Sequence, residues 1–251
     1  IGFSGGNIFY DSLLVSVAED HERNRVSSLG FSLGYLGGGI LFFINVLMFS
    51  FPSFFGLNSQ IEAVLWSFLS VAIWWSIFTL PLLTGVKEPQ VSVSRKSFFA
   101  ISGQAFTSLY QTGRSVRQFK SAVIFLIAYF LYMDGVDTII RMATSYGSDI
   151  GLSAQSMISA LLLTQFIGFP ATIAFGRYSD KFGHKQTLSF AIIIYIGVVI
   201  FSSQMDSALE FFIMASIIGL VQGGVQAISR SYFSTLIPVS YTHLRAHETS
   251  L

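Results

Sequence analysis

Cysteine is absent from the 251 residues, which excludes disulfide frameworks, thiolate metal sites and cysteine nucleophiles, and leaves the redox compartment open. Charge is scarce as well: Asp, Glu, Lys and Arg make up 11% of the chain, against about 25% in soluble domains. With a net charge of +1, the basic footprint of a nucleic-acid-binding protein is missing, so no nucleic-acid partner is expected. The short polar-apolar alternation of barrel strands is also lacking, because the apolar runs are continuous. What fills the chain is apolar: 52% hydrophobic residues, 26 Phe, 22 Gly and a mean hydropathy of +0.65. That composition suits lipid-facing helices that pack closely on one another.

A helix needs about 20 mainly apolar residues to cross a bilayer. Charges divide the chain into seven such stretches, at about 1–17, 28–51, 61–86, 121–140, 152–175, 187–203 and 208–228. The first begins without Met or a basic leader region, so it reads as neither a signal peptide nor a natural start. Short cytoplasmic loops accumulate Lys and Arg. One set of alternate connections holds twelve of them, and the other holds Arg141 alone; the basic set is therefore assigned to the cytoplasm. Within the longest connection, 87–120, Phe98, Ile101, Ala105, Leu109, Thr112 and Val116 recur at helical spacing. They predict an amphipathic helix on the inner interface, its basic face toward anionic headgroups, with a solvated linker as the alternative for the first ten residues.

Four local patterns carry more than composition. GRYSDKFGHK at 176–185 joins two spans on the basic side. Gly183 allows a tight helix-to-helix turn, Asp180 can sit at a helix N-terminus, where the macrodipole favours a carboxylate, and the lysines can anchor the inner face. In the second stretch Gly30, Gly34 and Gly38 fall four apart on one face, with Gly39 beside them, a spacing that lets another helix approach closely. GGNIFYDSLL at 5–14 and GGVQAISRSYF at 223–233 each place a Gly pair in a span that ends on the basic side, six spans apart, as a repeat would. Finally, Asp134, Asp137 and Arg141 lie along one face of the fourth stretch. An ionised carboxylate in lipid costs about 2.5 to 3.5 kcal/mol on insertion scales, so these groups should face protein or water.

Gly176, Asp180, Lys181, Gly183 and Lys185 resemble the loop signature of the major facilitator superfamily. The glycines of the second stretch resemble an antiporter signature of that superfamily, except that Tyr35 stands where the pattern has the Pro that bends the helix. YDSLL, SLGFSLGYLGGG, YMDGVDTI and QGGVQAISRSYF together resemble its vacuole-effluxer-like branch, related to the vacuolar amino-acid effluxer of autophagy, from Ile1 to about Pro238. The resemblance implies an all-α membrane protein with a partial major facilitator fold, about seven transmembrane helices (four to ten) of an expected twelve. It implies 1–86 as the end of an N-terminal half, 87–120 as a central loop and 121–238 as part of a C-terminal half. It also implies that the five loop residues latch the inward side.

On this reading the chain is a secondary active transporter of small solutes, with amino-acid efflux suggested by the branch, in a bacterial inner membrane. Its expected partners are membrane lipids, a small-molecule substrate and a coupling proton or cation. Asp134 is the coupling candidate, and Asp137 with Arg141 a substrate or gate pair; a structural ion pair near the outer end is the alternative. Gln165, Gln222 and Gln226 inside spans either line a cavity or glue helices. Pro170 can bend the fifth stretch. Asp11, Ser229 and Arg230 at span ends are gate contacts or interfacial anchors. The competing function is a transport-inactive sensor or scaffold on the same fold. No nucleophile elbow, metalloprotease helix or P-loop occurs in the sequence, so neither an enzyme nor a cofactor is expected. The last stretch, 239–251, resembles translated sequencing-adapter read-through and is expected to be foreign; its His243, His247 and Glu248 are not taken as a metal site.

Overall fold

The computed structural model describes residues 2–86, 107, 113–114 and 117–236. Seven helices run through them: α1 Gly2–Val17, α2 Arg23–Ser50, α3 Gln60–Gly85, α4 Lys120–Asp149, α5 Ala154–Phe182, α6 His184–Ser202 and α7 Ala208–Leu236. Six are long and apolar enough to cross a membrane. The exception, α1, has 16 described residues, about 24 Å at 1.5 Å per residue, against a hydrocarbon core of about 30 Å. The amphipathic positions expected between Phe98 and Val116, and the stretch 239–251, lie outside the described residues.

The helices outrun the apolar stretches that predict them. α4 continues nine residues past Ile140 to Asp149, α5 runs through Gly176 and Asp180 to Phe182, and α7 extends to Leu236. Apolar content marks the part of a helix that lipid covers, whereas backbone hydrogen bonding carries the helix on through charged residues. The basic motif is thus a helix end and not a loop: Gly183 alone separates α5 from α6, and it does so at φ 92°, a backbone conformation that glycine adopts at no steric cost. At the other end of the bundle, Ser59 and Ser153 cap α3 and α5 by accepting from the backbone N–H of Glu62 and Ser156, satisfying donors that the first turn leaves open.

α7 is the hub. In its most apolar window 61% of residues are buried, against 6% for α3 and for α4, and it touches α1, α2, α4, α5 and α6. Its Phe211, Val221, Val225 and Ile228 are fully enclosed. Small residues bring α5 against it: a Cβ at Gly219 would stand 2.9 Å from the Thr164 carbonyl oxygen, and one at Gly224 would press into the Phe175 ring. The outer faces of α3 and α4 instead present Phe68, Leu83, Ile124 and Phe130 without cover, a surface fit for lipid and not for water.

α2 runs antiparallel to α5 and ties α1–α3 to α4–α7. The contacts step from Asn24 with Asp180, through Ser32 Oγ donating to the Phe169 carbonyl (3.0 Å), to Gly39 with Gln165. Past Leu41, its last buried residue, α2 leans on α3, where Ser70 Oγ donates to Asn45 Oδ1 (3.0 Å). The union runs from Asn24 to Gly39, about 22 Å of a helix about 42 Å long, and lies at the basic end of the bundle.

Candidate functional site: a guanidinium between two cavities

At the basic end the last turns of α1 and α7 and the first turns of α2 converge on Arg230. Its Nη1 donates to Asp11 Oδ1 at 3.1 Å, Nε to Ser27 Oγ at 3.0 Å, and Nη2 makes a long contact of 3.5 Å to the Ser27 carbonyl. The guanidinium carbon stands 5.0 Å from the Tyr10 ring centroid and 4.8 Å from that of Phe31, within the range of cation–π attraction. The Arg230 side chain is 11% exposed, while Asp11 is 49% exposed. A single α7 cation therefore holds α1 through a carboxylate and α2 through a hydroxyl.

Cavities lie on both sides of it. Toward the basic end, one of about 420 Å³ is walled mainly by apolar residues, with Asp11, Arg23, Ser229 and Arg230 among its polar groups. Deeper along α2, one of about 330 Å³ is lined by Tyr10, Gly30, Phe31, Gly34, Tyr35, Gln165 and Gln226. The rings of Tyr10 and Phe31, with Arg230 between them, form the partition. The deeper space has no ionised group in its lining, and Tyr35 Oη donates to Gln226 Oε1 (3.3 Å) at its wall.

A second cluster closes the basic end beside the first. Asn24, 6% exposed, donates from Nδ2 to the Gly176 carbonyl (2.9 Å) and to Asp180 Oδ1 (2.6 Å), and accepts on Oδ1 from Ser231 Oγ (2.9 Å). Asp180 does not sit at the N-terminus of its own helix, as expected, but in the last turn of α5. The helix start it meets is that of α2, through Asn24. Gly176 supplies the clearance, since a Cβ there would collide with the Ser28 side chain. Ser27 Oγ also donates to the Ala227 carbonyl (2.7 Å), Arg23 Nη1 to the Ser234 carbonyl (3.3 Å), and Tyr132 and Ser229 share a 2.6 Å hydroxyl contact. Lys181 and Lys185 stand exposed, Lys181 over the Phe182 ring at 5.2 Å.

The structure brings together Asp11, Ser229 and Arg230 in one place, and Gln165 with Gln226 in another. Gln222 is half-buried on α7 and lines neither cavity. Asp134, Asp137 and Arg141 stand exposed on α4 and line neither cavity. No ion pair within 4.0 Å joins Asp137 to Arg141. Pro170 lies inside an uninterrupted α5. The glycine stripe does not seat another helix along its length: nothing comes within 4 Å of a Cβ built at Gly34 or Gly38, whereas Gly30 meets Tyr10 Oη at 3.0 Å and Gly39 meets Gln165 Cβ at 3.3 Å. The face of α2 that packs on α5 is the Asn24, Ser28, Ser32, Tyr35, Gly39 stripe, and the neighbouring glycines make room for the deeper cavity. Tyr10, Arg23, Asn24, Ser27, Phe31 and Tyr35 are the site residues that sequence reasoning missed. The signal available was a run of polar residues at the start of an apolar span.

The model of the vacuole effluxer Atg22-like family matches residues 14–244. Among curated relatives, the chain is 38% identical over 244 residues to the uncharacterized MFS-type transporter YxiO of Bacillus subtilis, covering 95% of this chain and 55% of that protein. It is 28% identical over 241 residues to autophagy-related protein 22-1 of Penicillium rubens (86% and 40% covered) and 25% identical over 268 residues to autophagy-related protein 22 of Saccharomyces cerevisiae S288c (91% and 50% covered). No solved structure matches. The chain belongs to the vacuole effluxer Atg22-like family and spans about half the length of the curated relatives it matches. The match extends through Val239 to Leu244, the first residues of the stretch read as foreign.

Proposed function

Because the chain is an integral membrane member of that transporter family, we propose that the whole protein is a secondary active transporter that moves a small solute by alternating access between two helical halves. The 87–120 connection separates the halves. The observation that carries this reading is the partition: a cation from α7 holds α1 and α2 together across the space between two cavities. A space with amide and hydroxyl groups beyond such a partition is a place for a solute to wait, and the partition is a bond that must break before it leaves. The union of α2 with α5 at the basic end, and its ending at Gly39, fit a state closed on that side. Twelve basic residues assign that side to the cytoplasm.

Efflux is the finer reading, since the family carries the effluxer description, and amino acids are the solute class that the resemblance to the vacuolar branch suggests. Coupling to a proton or cation falls to Asp134, with Asp137 and Arg141 on the same face of α4. The test is counterflow of labelled amino acids, sugars and nucleosides in vesicles containing the intact protein. Exchange of one class, lost when Gln165→Leu and Gln226→Leu strip the amides from the deeper cavity, is the expected result. Folded protein that exchanges none of them would favour a sensor or scaffold.

A further inference from the structure

The Arg230 partition is built in a way that suggests what releases it. A guanidinium has five N–H donors. Arg230 commits Nε and one hydrogen each of Nη1 and Nη2, the last at 3.5 Å. The two terminal nitrogens share an edge that can take a carboxylate with two parallel bonds. Asp11 uses a single oxygen and is half exposed, so the resident carboxylate is a one-bond partner at a two-bond edge.

The cavity beside it carries an independent mark. Arg23 lines the same 420 Å³ space, is 4% exposed, and its Nε has no hydrogen-bond partner, a vacancy that native interiors seldom leave. Asp20, which pairs with Arg23, is 70% exposed and stands outside the lining. The cavity thus has two guanidinium groups at its wall, Asp11 as its one carboxylate, a few hydroxyls that include Ser229, and a mainly apolar remainder that includes Leu14, Phe125 and Phe233. An excess of one cation in an apolar space is complementary to an anion with an apolar body.

We infer that Arg230 is the specificity residue for a carboxylate on the transported solute, and that this carboxylate replaces Asp11 on the guanidinium and thereby frees α1 from α7. This rests on the transport reading above. The exchange keeps Arg230 paired throughout. Parting α1 from α7 with nothing bound would leave an enclosed charge alone, the costly outcome when one partner of such a pair is removed. A solute lacking the carboxylate cannot make the exchange, so opening is tied to occupancy by the right chemistry. The carboxylate can come from a simple monocarboxylate or from a zwitterion whose ammonium then meets the freed Asp11.

The test is dipolar spectroscopy on the intact protein in nanodiscs, with spin labels at Val17→Cys and Thr235→Cys, exposed positions at the ends of α1 and α7. The probes are 3-methylbutanoate, L-leucine and the neutral 3-methylbutanamide. The carboxylates should widen the label separation and the amide should not; a response to both carboxylates identifies the monocarboxylate as sufficient, and a response to leucine alone identifies the zwitterion. Removing the competitor in Asp11→Asn should tighten the apparent affinity several-fold. Arg230→Lys, which keeps the charge and loses the planar edge, should weaken it tenfold or more, and Arg230→Gln should abolish the response. Equal responses to acid and amide, or the same direction of change in Asp11→Asn and Arg230→Lys, overturn the inference. Counterflow of solutes irrespective of a carboxylate would also overturn it while leaving transport standing, whereas no flux of any solute defeats the transport reading itself.

Discussion

Asn24 makes three hydrogen bonds while 6% exposed, and it joins the start of α2 to α5 and α7 at once. Truncation to Ala would remove the bonds to the Asp180 carboxylate, the buried Gly176 carbonyl and the Ser231 hydroxyl, at about 0.5–1.5 kcal/mol for each intramolecular hydrogen bond lost. Thermal unfolding of Asn24→Ala in detergent should therefore fall clearly below the parent. Asp180→Asn, which keeps an acceptor for Asn24 at an exposed position, should fall less. Asp134 is a different kind of residue: exposed on α4 and bordering neither cavity, it holds nothing in place here. Asp134→Asn should leave expression and unfolding unchanged and abolish coupled transport by the intact protein; unchanged coupled flux removes it as the coupling site. Sequence spacing makes Asp180 conspicuous, but it cannot show Asn24, because a polar residue that opens a span has the same composition whether it anchors to headgroups or ties three helices together.

Helix packing separates two sorts of glycine that look alike in sequence. Gly219 stands where a Cβ would be 2.9 Å from a backbone oxygen of α5, which cannot swing aside, whereas Gly34 borders open space. Gly219→Ala should cost about 1–3 kcal/mol as overpacking does and lower the unfolding temperature. Gly34→Ala should hold it or raise it, by a helix-propensity gain of up to about 1 kcal/mol. Urea unfolding of the two variants side by side decides between this assignment and the expected packing role of the Gly30, Gly34, Gly38 face. The stretches themselves were legible, since each became a helix with at least one end close to its apolar limit. Three far ends were not. Charged Asp149, Lys181 and Arg230 are at home in a helix that projects past lipid, and hydropathy has no term for that.

Across the whole molecule, α1–α3 and α4–α7 meet over the basic end and part beyond Gly39 of α2. The excess of basic residues at one end could be read from sequence. The meeting could not, since it depends on which faces of distant helices are complementary: Ser27 with Ala227, Asn24 with Ser231 and Arg230 with Asp11 are about 200 residues apart. Alternating access requires these contacts to break in every cycle, and the pair Asn24 and Ser231, linked at 2.9 Å across α2 and α7, is placed to test that. The described sequence contributes no native thiol to confuse the result. Asn24→Cys together with Ser231→Cys should oxidise to a disulfide, since side chains in hydrogen-bond contact lie near the range a disulfide spans. The linked protein should stop exchanging solute and recover on reduction. Each single substitution controls for the loss of the Asn24 hydrogen bonds, which by itself should loosen the closed state and not arrest it. Full exchange by quantitatively linked protein would mean that α2 and α7 never part at this end, and the partition at Arg230 would then be a fixed wall and not a gate.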